Sequence, residues 1–402
     1  MNASSGSKPH GPLDGITVVE MGQLIAGPFC GQLLGDFGAD VIKVESPDKG
    51  DALRQWGQPG YPMFWEILGR NKYSITANLR VEGGQALARQ LIGKADILIE
   101  NFRPGTLEKW GMSPEQLMKD NPRLIIVRVS GYGQTGPYSS RAGFGGIGEA
   151  MGGWRSIVGE PDRSPSRMGV SIGDSLAATF ACLGALAALE ARHKTGKGQI
   201  VDSSLYEAVL HVMESLVPDY AIADFIRERS GSILPGVAPS NVYPCKDGAF
   251  LIAANQDSVF TRLCDVMERP DLAKDDRYAT HTARGKHQKM LDDIIAEWTK
   301  DHTVNALEAM MAEAGIPAGR MFRPADMLAD PQFKARDSLI EIEHPKWGKL
   351  PMQNVFPKLS GTPGSIRSVA PLSPGVDNQK IYSERLGLSE ADLASLKQDG
   401  II

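Results

Sequence analysis

One carboxylate interrupts an apolar stretch of the sequence where a helix is predicted to begin. Asp174 follows Ile172 and Gly173 and precedes a run rich in Leu and Ala. The unpaired N–H groups and the dipole of a helix N-terminus stabilise an ionised carboxylate in apolar surroundings. Such a carboxylate suits two roles, the N-cap of the helix or a nucleophile that forms a covalent intermediate. Gly173 beside it would let a substrate approach the backbone closely.

A glycine motif precedes this carboxylate. Residues Gly143 to Gly148 satisfy the G-x-G-x-x-G pattern of dinucleotide-binding loops. That pattern binds a pyrophosphate only between a strand and a helix, and the turn-forming residues from Gly136 to Ala142 precede it here. The first predicted strand–helix connection carries two glycines rather than three, Gly22 and Gly27. The sequence therefore disfavours nicotinamide or flavin binding and favours loops in which glycine takes a positive φ.

Histidine and cysteine patterns indicate neither metal nor histidine-assisted nucleophile chemistry. None of the seven histidines forms H-E-x-x-H or partners a G-x-S-x-G elbow, and His193 lies in a basic turn that predicts a helix C-terminus. The four cysteines are scattered without a C-x-x-C pair, which predicts no zinc site, no disulfide framework and a reducing compartment. They are Cys30, Cys182, Cys245 and Cys264.

The elements that must position Asp174 alternate between strands and helices. Strands are predicted at 16–20, 40–45, 73–79, 95–100 and 124–129, and helices at 29–37, 82–92 and after the capping residue Ser113. This alternation indicates βαβ units and a parallel sheet with ligands at the carboxyl ends of its strands. A second helical stretch is predicted at 203–228, a linker at 231–244, and a smaller α+β region at about 249–319.

Composition limits the function classes. The chain has 402 residues, which indicates two or three domains, and its net charge of −5 argues against a nucleic-acid binder. The longest uncharged stretch, Leu176 to Leu189, is too short to cross a bilayer and predicts a core helix. The polar residues Met1 to His10 lack signal or transit features and predict a disordered tail.

Seven short motifs follow one another along the chain. They are Leu24 to Pro28, Leu34 to Glu45, Asn71 to Ile75, Glu100 to Gly105, Ser130 to Pro137, Gly173-Asp174 and His193 to Gly198. Taken in order, these motifs resemble those of the class III CoA-transferases, the group that contains formyl-CoA:oxalate and carnitine CoA-transferases. The match extends from about Gly11 to Ile402.

The resemblance implies a Rossmann-like large domain of parallel sheet built from both chain ends, with a smaller α+β domain inserted. We expect the large domain at 11–228, the small domain with its linkers at 229–325, and the returning segment at 326–402. The family also implies an interlocked homodimer. No permanent cofactor is implied, because coenzyme A enters as a substrate thioester. We expect a cytoplasmic enzyme with no membrane or nucleic-acid partner.

The resemblance further implies that Asp174 is the nucleophile. A carboxylate attacks a thioester carbonyl to give an acyl-aspartyl anhydride, and the released thiolate converts this into an aspartyl-CoA thioester. The acceptor acid then repeats the steps in reverse. Because every intermediate remains an anhydride or a thioester, acyl activation is conserved if water is excluded.

Other family positions fall on residues suited to binding CoA. Asn101 and the backbone at Ala26 suit the nucleotide, Phe102 offers an apolar face, and the lysines suit phosphates. The full set is Ile25, Ala26, Lys72, Asn101, Phe102 and Lys109, with Tyr132 beside the active site. The chain departs from its relatives in two places: Ser46 replaces a frequent Arg, and the short 233–239 segment does not match the glycine-rich flap of formyl-CoA transferase.

Two alternatives stay open at this stage. The α-methylacyl-CoA racemases use a His in a Gly-His-Asp motif, which falls here on Gly143, Phe144 and Gly145 and is therefore disfavoured. Noncatalytic acyl-CoA binding is disfavoured because Asp174 is present. We expect small carboxylic acids of the succinate type as substrates, with Arg141 or Arg167 holding a remote carboxylate, although Arg167 also suits a structural role in its loop.

Overall fold

The computed structural model describes residues 11–402, so the predicted N-terminal tail lies outside the described residues. The chain divides into two compact units. The first contains the described residues up to Trp154, then Met168–Ser215 and Ala335–Ile402, and the second contains Arg155–Arg167 and Leu216–Lys334. The second unit therefore begins earlier and ends later than the inserted domain expected at 229–325, and it also takes a short segment that precedes Asp174.

In the described residues the strands are β1 Thr17–Glu20, β2 Asp40–Glu45, β3 Lys72–Thr76, β4 Ile97–Glu100, β5 Ile125–Ser130, β6 Ile200–Ser204, β7 Ser240–Cys245, β8 Gly248–Ala253, β9 Ala318–Arg320, β10 Leu339–His344 and β11 Gly348–Gln353. The α-helices are α1 Ala26–Asp36, α2 Met63–Leu68, α3 Glu82–Ile92, α4 Thr106–Lys109, α5 Pro114–Asp120, α6 Gly145–Met151, α7 Trp154–Ile157, α8 Ile172–Thr195, α9 Leu205–Leu210, α10 Leu216–Ala223, α11 Asp257–Val266, α12 His281–Lys286, α13 Gln288–Thr299, α14 Val304–Glu313, α15 Pro324–Ala329, α16 Pro331–Ala335, α17 Asn378–Ile381 and α18 Glu390–Gln398.

The first unit is built on a parallel sheet of six strands in the order β3-β2-β1-β4-β5-β6. The strand order reverses between β1 and β4, so the connections that leave these two strands diverge at their carboxyl ends. In open α/β sheets this divergence creates the crevice in which ligands bind. The sheet thus confirms the predicted α/β class and fixes where a site is expected.

Alternate residues of each strand enter two hydrophobic cores, one on each face of the sheet. Val18 and Val41 join α1 and α8 on one face, whereas Val19 and Ile42 join α3 and α5 on the other. Burial on both faces explains why these strands are almost continuously apolar. The C-terminal segment returns to the sheet edge, where the Asp377 side chain accepts a hydrogen bond from Ser74 N at 2.8 Å.

Helix α8 is the 24-residue core helix that carries Asp174. It is long and apolar enough to cross a membrane by length and composition, which its 14-residue uncharged stretch alone is not. Its small residues Ala177, Ala181 and Ala185 are fully buried against the first core. The tight packing of α8 on α1 and the sheet is therefore a consequence of the alanines on this face.

Two features of the region around α8 differ from the sequence patterns. The N-cap of α8 is Ser171, so of the two roles left open for Asp174 the capping role is excluded, and the residue lies inside the first turn. The continuous helix predicted from Ser203 is wrong, because strand β6 ends at Ser204 and the helix is interrupted between α9 and α10. The first difference arises because a carboxylate inside an apolar first turn has the same sequence pattern as an N-cap.

The second unit has its own core and a small antiparallel sheet in the order β7-β8-β9. Strand β8 lies at the start of the predicted α+β region, but β7 falls largely within the predicted linker at 231–244. The Tyr243 hydroxyl of β7 donates to Asp292 Oδ1 at 2.5 Å. This bond fastens β7 to α13, and so explains why a proline-flanked segment is ordered as a strand.

Candidate active site

A cavity of about 340 Å³ lies at the carboxyl end of the sheet, at the reversal of strand order. Its walls come from the connections after β1, β2, β4, β5 and β6 and from the start of α8. The lining residues are Gln23, Leu24, Ile25, Ala26, Trp56, Asn101, Phe102, Val129, Ser130, Gly131, Gly143, Phe144, Gly145, Gly146, Ser171, Asp174 and Leu205.

Asp174 is the only ionisable side chain among the residues that line this cavity. It is half-buried in the first turn of α8, where the helix N-terminus favours its negative charge. Its carboxylate lies against Gly145, where a Cβ would come within 2.3 Å of Asp174 Oδ2. Glycine at position 145 thus leaves the space that the carboxylate fills.

The glycine-rich segment before α8 forms part of the cavity rather than a dinucleotide loop. Gly143 and Gly145 line the cavity, and no strand leads into α6. Gly143 packs against Gly131, since a Cβ on Gly143 would lie 2.8 Å from the Cα of Gly131. Close approach, and not positive φ, is therefore what requires glycine at these two positions.

Asn101 clamps the loop that follows β1. Its side-chain Oδ1 accepts from Gln23 N at 2.7 Å, and its Nδ2 donates to Gln23 O at 2.8 Å. The oxygen and the nitrogen of the Asn101 amide therefore both bind the backbone of one residue, Gln23. Gly22 and Gly27 pack on each other beneath this clamp, and Leu24, not a glycine, takes the positive φ of 62° in the loop.

Phe102 is held at the opposite wall by a buried ion pair. Its backbone N–H donates to Glu100 Oε2 at 2.7 Å, and Glu100 Oε1 pairs with Arg128 Nε at 2.7 Å. Burial raises the pKa of Glu100, although Arg128 opposes this shift. The Phe102 ring rests edge-on against Trp110 at 5.0 Å between centroids. These contacts fix an apolar surface facing the cavity.

The two lysines expected to meet phosphates lie apart from the cavity lining. The Lys72 ammonium is buried between Glu20 Oε2 and the carbonyl oxygen of Pro28, at 2.7 Å from each. It ties β3 to the first turn of α1, which differs from the phosphate contact expected from the resemblance. Lys109, at the end of α4, is exposed.

Tyr132 and the two arginines are also absent from the lining residues. The Tyr132 ring packs near those of Tyr138 and Tyr206, at 5.9 Å and 6.5 Å between centroids. The exposed Arg141 guanidinium lies over the Tyr138 ring at 3.6 Å. Arg167 belongs to the second unit, where its side chain is exposed. Of the expected site residues, Asp174, Ile25, Ala26, Asn101 and Phe102 are brought together at the cavity.

Several lining residues were not expected at the site. Among them, Trp56 and Phe144 are large and Gln23 is polar, and the sequence motifs assign none of the three a role in the site. The exposed fraction of Phe144 is 69%, which is high for an aromatic side chain beside a cavity. An isolated aromatic residue in a loop carries no periodic pattern, so no signal in the sequence identifies these positions. Within residues 11–402, no group of three or more His, Cys, Asp or Glu side chains is placed to hold a metal ion.

Comparison with known proteins agrees with this geometry. The model of CoA-transferase family III matches residues 13–378. The chain is 55% identical over 402 residues to succinyl-CoA–D-citramalate CoA-transferase of Chloroflexus aurantiacus, covering 99% of this chain and 100% of the relative. It is 37% identical to succinate–glutarate CoA-transferase of Agrobacterium fabrum, covering 83% and 85% of the two chains.

A solved structure described as a CAIB/BAIF family protein from Brucella suis superposes with a TM-score of 0.84 at 36% identity. The superposition covers 94% of this chain and 100% of that structure. The family expected from the seven motifs is thereby confirmed over nearly the whole chain. The protein belongs to CoA-transferase family III.

Proposed function

We propose that the protein transfers CoA between small dicarboxylic acids, with Asp174 as the nucleophile. The observation that carries this proposal is a cavity at the sheet's ligand-binding edge whose lining residues include a single ionisable group, a carboxylate. The CoA nucleotide and pantetheine would extend along Ile25, Ala26, Asn101 and Phe102. Lys109 would reach a phosphate from the exposed end of α4. No permanent cofactor enters the scheme.

The proposed reaction consists of acyl exchanges at one carboxylate. Asp174 attacks the donor thioester carbonyl, forming a C–O bond while the C–S bond breaks and the CoA thiolate leaves. The thiolate then attacks the aspartyl carbonyl of the anhydride, which releases the donor acid and leaves an aspartyl-CoA thioester. The acceptor carboxylate attacks this thioester, and the thiolate finally takes the acceptor acyl group and frees Asp174.

No step in this sequence takes up or releases a net proton. A general acid or base is therefore unnecessary, which suits a cavity whose lining residues carry one carboxylate and no other ionisable side chain. The N-terminus of α8 favours the ionised form of Asp174. The apolar side chains of the lining would help to keep water from the anhydride and the thioester.

The racemase alternative requires a proton donor and acceptor on opposite sides of the substrate Cα. The positions of the racemase Gly-His-Asp motif hold Gly143, Phe144 and Gly145, and a side chain at 145 would collide with the Asp174 carboxylate. These residues favour acyl transfer over proton transfer. Deuterium entering the Cα of a 2-methylacyl-CoA, without acid exchange, would establish the racemase alternative instead.

The substrate class is inferred from the relatives. Their names describe transfer between succinyl-CoA and D-citramalate, and between succinate and glutarate, all of them dicarboxylates. We infer a succinate-type donor and a small dicarboxylate acceptor. Arg141 and Arg167 are the proposed partners for the remote carboxylate, since no lining residue of the cavity carries a positive charge. A matrix of acyl-CoA donors against free acids, with mass detection of new thioesters, tests this inference.

The nucleophile is tested with Asp174→Asn and Asp174→Ala. Both variants should lose CoA exchange while keeping CoA affinity and melting temperature, and hydroxylamine should trap the acyl-aspartyl species only in the wild type. Undiminished turnover in either variant would overturn the mechanism.

A homodimer in the cytoplasm completes the proposal. Apolar side chains are exposed on α8, where Leu183 is 59% exposed, and on α10, where Ile222 is 88% exposed. A second copy of the chain would remove these surfaces from water. Sedimentation equilibrium should give twice the chain mass of 43.4 kDa; a stable, active monomer would contradict the proposal.

A further inference from the structure

The cavity wall formed by residues 22–25 rests on a buried pair of opposite charges that the proposed chemistry does not use. We propose that Lys43 and Asp51 are positioning residues for CoA binding, which hold this wall in the conformation that receives the nucleotide part of CoA. The inference rests on the proposed function, because it assigns the CoA site to this wall.

The pair reaches the wall through its backbone. Lys43 Nζ donates to the carbonyl oxygen of Gly22 and lies 2.8 Å from Asp51 Oδ2. Asp51 Oδ1 accepts from the backbone N–H groups of Leu24 and Leu53, at 3.0 Å each. One carboxylate therefore links the wall to the 3₁₀ turn that follows Asp51, and one ammonium links it to β2.

Leu24 needs this support. Its φ of 62° is in the left-handed region, which non-glycine residues adopt only when their surroundings enforce it. The N–H group of Leu24 is the one that Asp51 holds. On the other side of the loop, Asn101 grips the preceding residue, Gln23. The wall is thus fixed by hydrogen bonds from Asn101 on one side and by the charged pair of Lys43 and Asp51 on the other.

The charges are rigidly placed because the pair is buried. Lys43 is 1% exposed and Asp51 3% exposed. Burial alone would raise the pKa of Asp51, but Lys43 and the N–H groups of Leu53 and Leu24 lower it below its usual range. Glu20 Oε1 lies 3.3 Å from Lys43 Nζ and adds a second partner. Both members are therefore charged at neutral pH and hold the loop without rearrangement.

Neither Lys43 nor Asp51 lines the cavity, so each can influence CoA only through the loop. Leu24 and Ile25, by contrast, are lining residues. Loss of the pair should therefore weaken CoA binding while leaving Asp174 and its surroundings unchanged. A purely structural pair would change the melting temperature alone.

The test compares Asp51→Ala and Asp51→Asn with the wild type. Titration calorimetry with CoA should give a dissociation constant about 10-fold or more higher for Asp51→Ala, the range for loss of charge-assisted hydrogen bonds. Asp51→Asn retains an acceptor for Leu24 and should lie between the two. The KM for acyl-CoA should rise in parallel while kcat and the KM for the acceptor acid stay within about threefold. Hydrogen exchange should accelerate in the peptide that contains Leu24.

Asp36→Asn is the matched control. Asp36 pairs with Arg70 at 2.6 Å, is as buried as Asp51, and does not contact the wall. The Asp36→Asn substitution should lower the melting temperature without changing the affinity for CoA. The inference is overturned if Asp51→Ala binds CoA as tightly as the wild type. If Asp51→Ala does not fold, an unchanged CoA affinity in Asp51→Asn overturns it instead. A wild type that binds no CoA would instead overturn the proposed function.

Discussion

Gly145→Ala should greatly lower the rate of CoA transfer, although the substitution replaces no ionisable residue. The backbone at 145 does not take a positive φ, so alanine itself is not strained there. The added Cβ would lie 2.3 Å from Asp174 Oδ2 and 2.9 Å from its Cγ. The carboxylate must therefore move, because Gly145 belongs to a short helix packed against α8 and the backbone has little freedom to yield.

The size of the movement sets the expected loss. Real Cβ atoms essentially never approach a neighbour closer than 3.0 Å, and ordinary contact begins at 3.4 Å, so Oδ2 must withdraw from 2.3 Å by about 0.7 to 1.1 Å. A displacement of about 1 Å from the reactive geometry costs about 100-fold in rate. We expect kcat to fall by about this factor, with the CoA dissociation constant within about threefold of the wild-type value, since Gly145 is not among the residues proposed to hold the CoA nucleotide.

Steady-state CoA transfer and calorimetric CoA binding provide the assay. Gly169→Ala is the control, because it makes the same change in the loop before α8 where nothing lies within 4 Å of the added Cβ. The Gly169→Ala variant should retain wild-type kcat. A Gly145→Ala protein with wild-type kcat would refute the placement of the carboxylate. An equal decrease of kcat in both variants would show that a change in the backbone, and not contact with the carboxylate, causes the effect.

Two further predictions concern the buried charges beneath the cavity. Gly31→Ala should lower the free energy of unfolding by about 3 kcal/mol. A Cβ at position 31 would lie 1.8 Å from Glu20 Oε2 and would displace this carboxylate, the partner of Lys72. Urea unfolding measures the change, and a loss below about 1 kcal/mol would contradict the prediction. Asp51→Asn should be less stable than the wild type at neutral pH. The difference in the free energy of unfolding should shrink as the pH falls from 3.8, the usual pKa of Asp, through the lower pKa of Asp51 in the folded protein. The reason is that Asp51 stabilises the fold only while its carboxylate is ionised. A difference that stays constant from about pH 7 to pH 3 would contradict this.

The parallel sheet could be predicted because it is buried on both faces. Apolar runs such as Asp40–Glu45 and Ile125–Ser130 have no alternation, and the helices between them end at glycines or begin at caps. The helix Glu82–Ile92 is observed with the predicted bounds. Strand β6 escaped prediction because it is an edge strand, with Ile200 and Asp202 exposed, and its five residues run directly into α9.

Site residues were predictable as positions but less so as contacts. Asn101 lines the cavity as expected, yet its amide is occupied by Gln23, and Lys72 is held in the core by Glu20. The sequence pattern at Lys72 does not reveal a buried carboxylate partner. In the structure that partner is Glu20, and Gly31 of α1 leaves room for its carboxylate.

The glycines of this chain separate two physical requirements that the sequence alone merges. At Gly143 and Gly145 the missing Cβ provides volume, for a neighbouring backbone in one case and for the Asp174 carboxylate in the other. The left-handed backbone near the cavity falls instead on Leu24, where hydrogen bonding by Asp51 replaces the freedom of glycine. A wall held by charge is stiffer than one relaxed by glycine, because the conformational entropy is removed before the ligand arrives. The arrangement therefore places open space beside the proposed nucleophile and a fixed backbone beside the proposed nucleotide site.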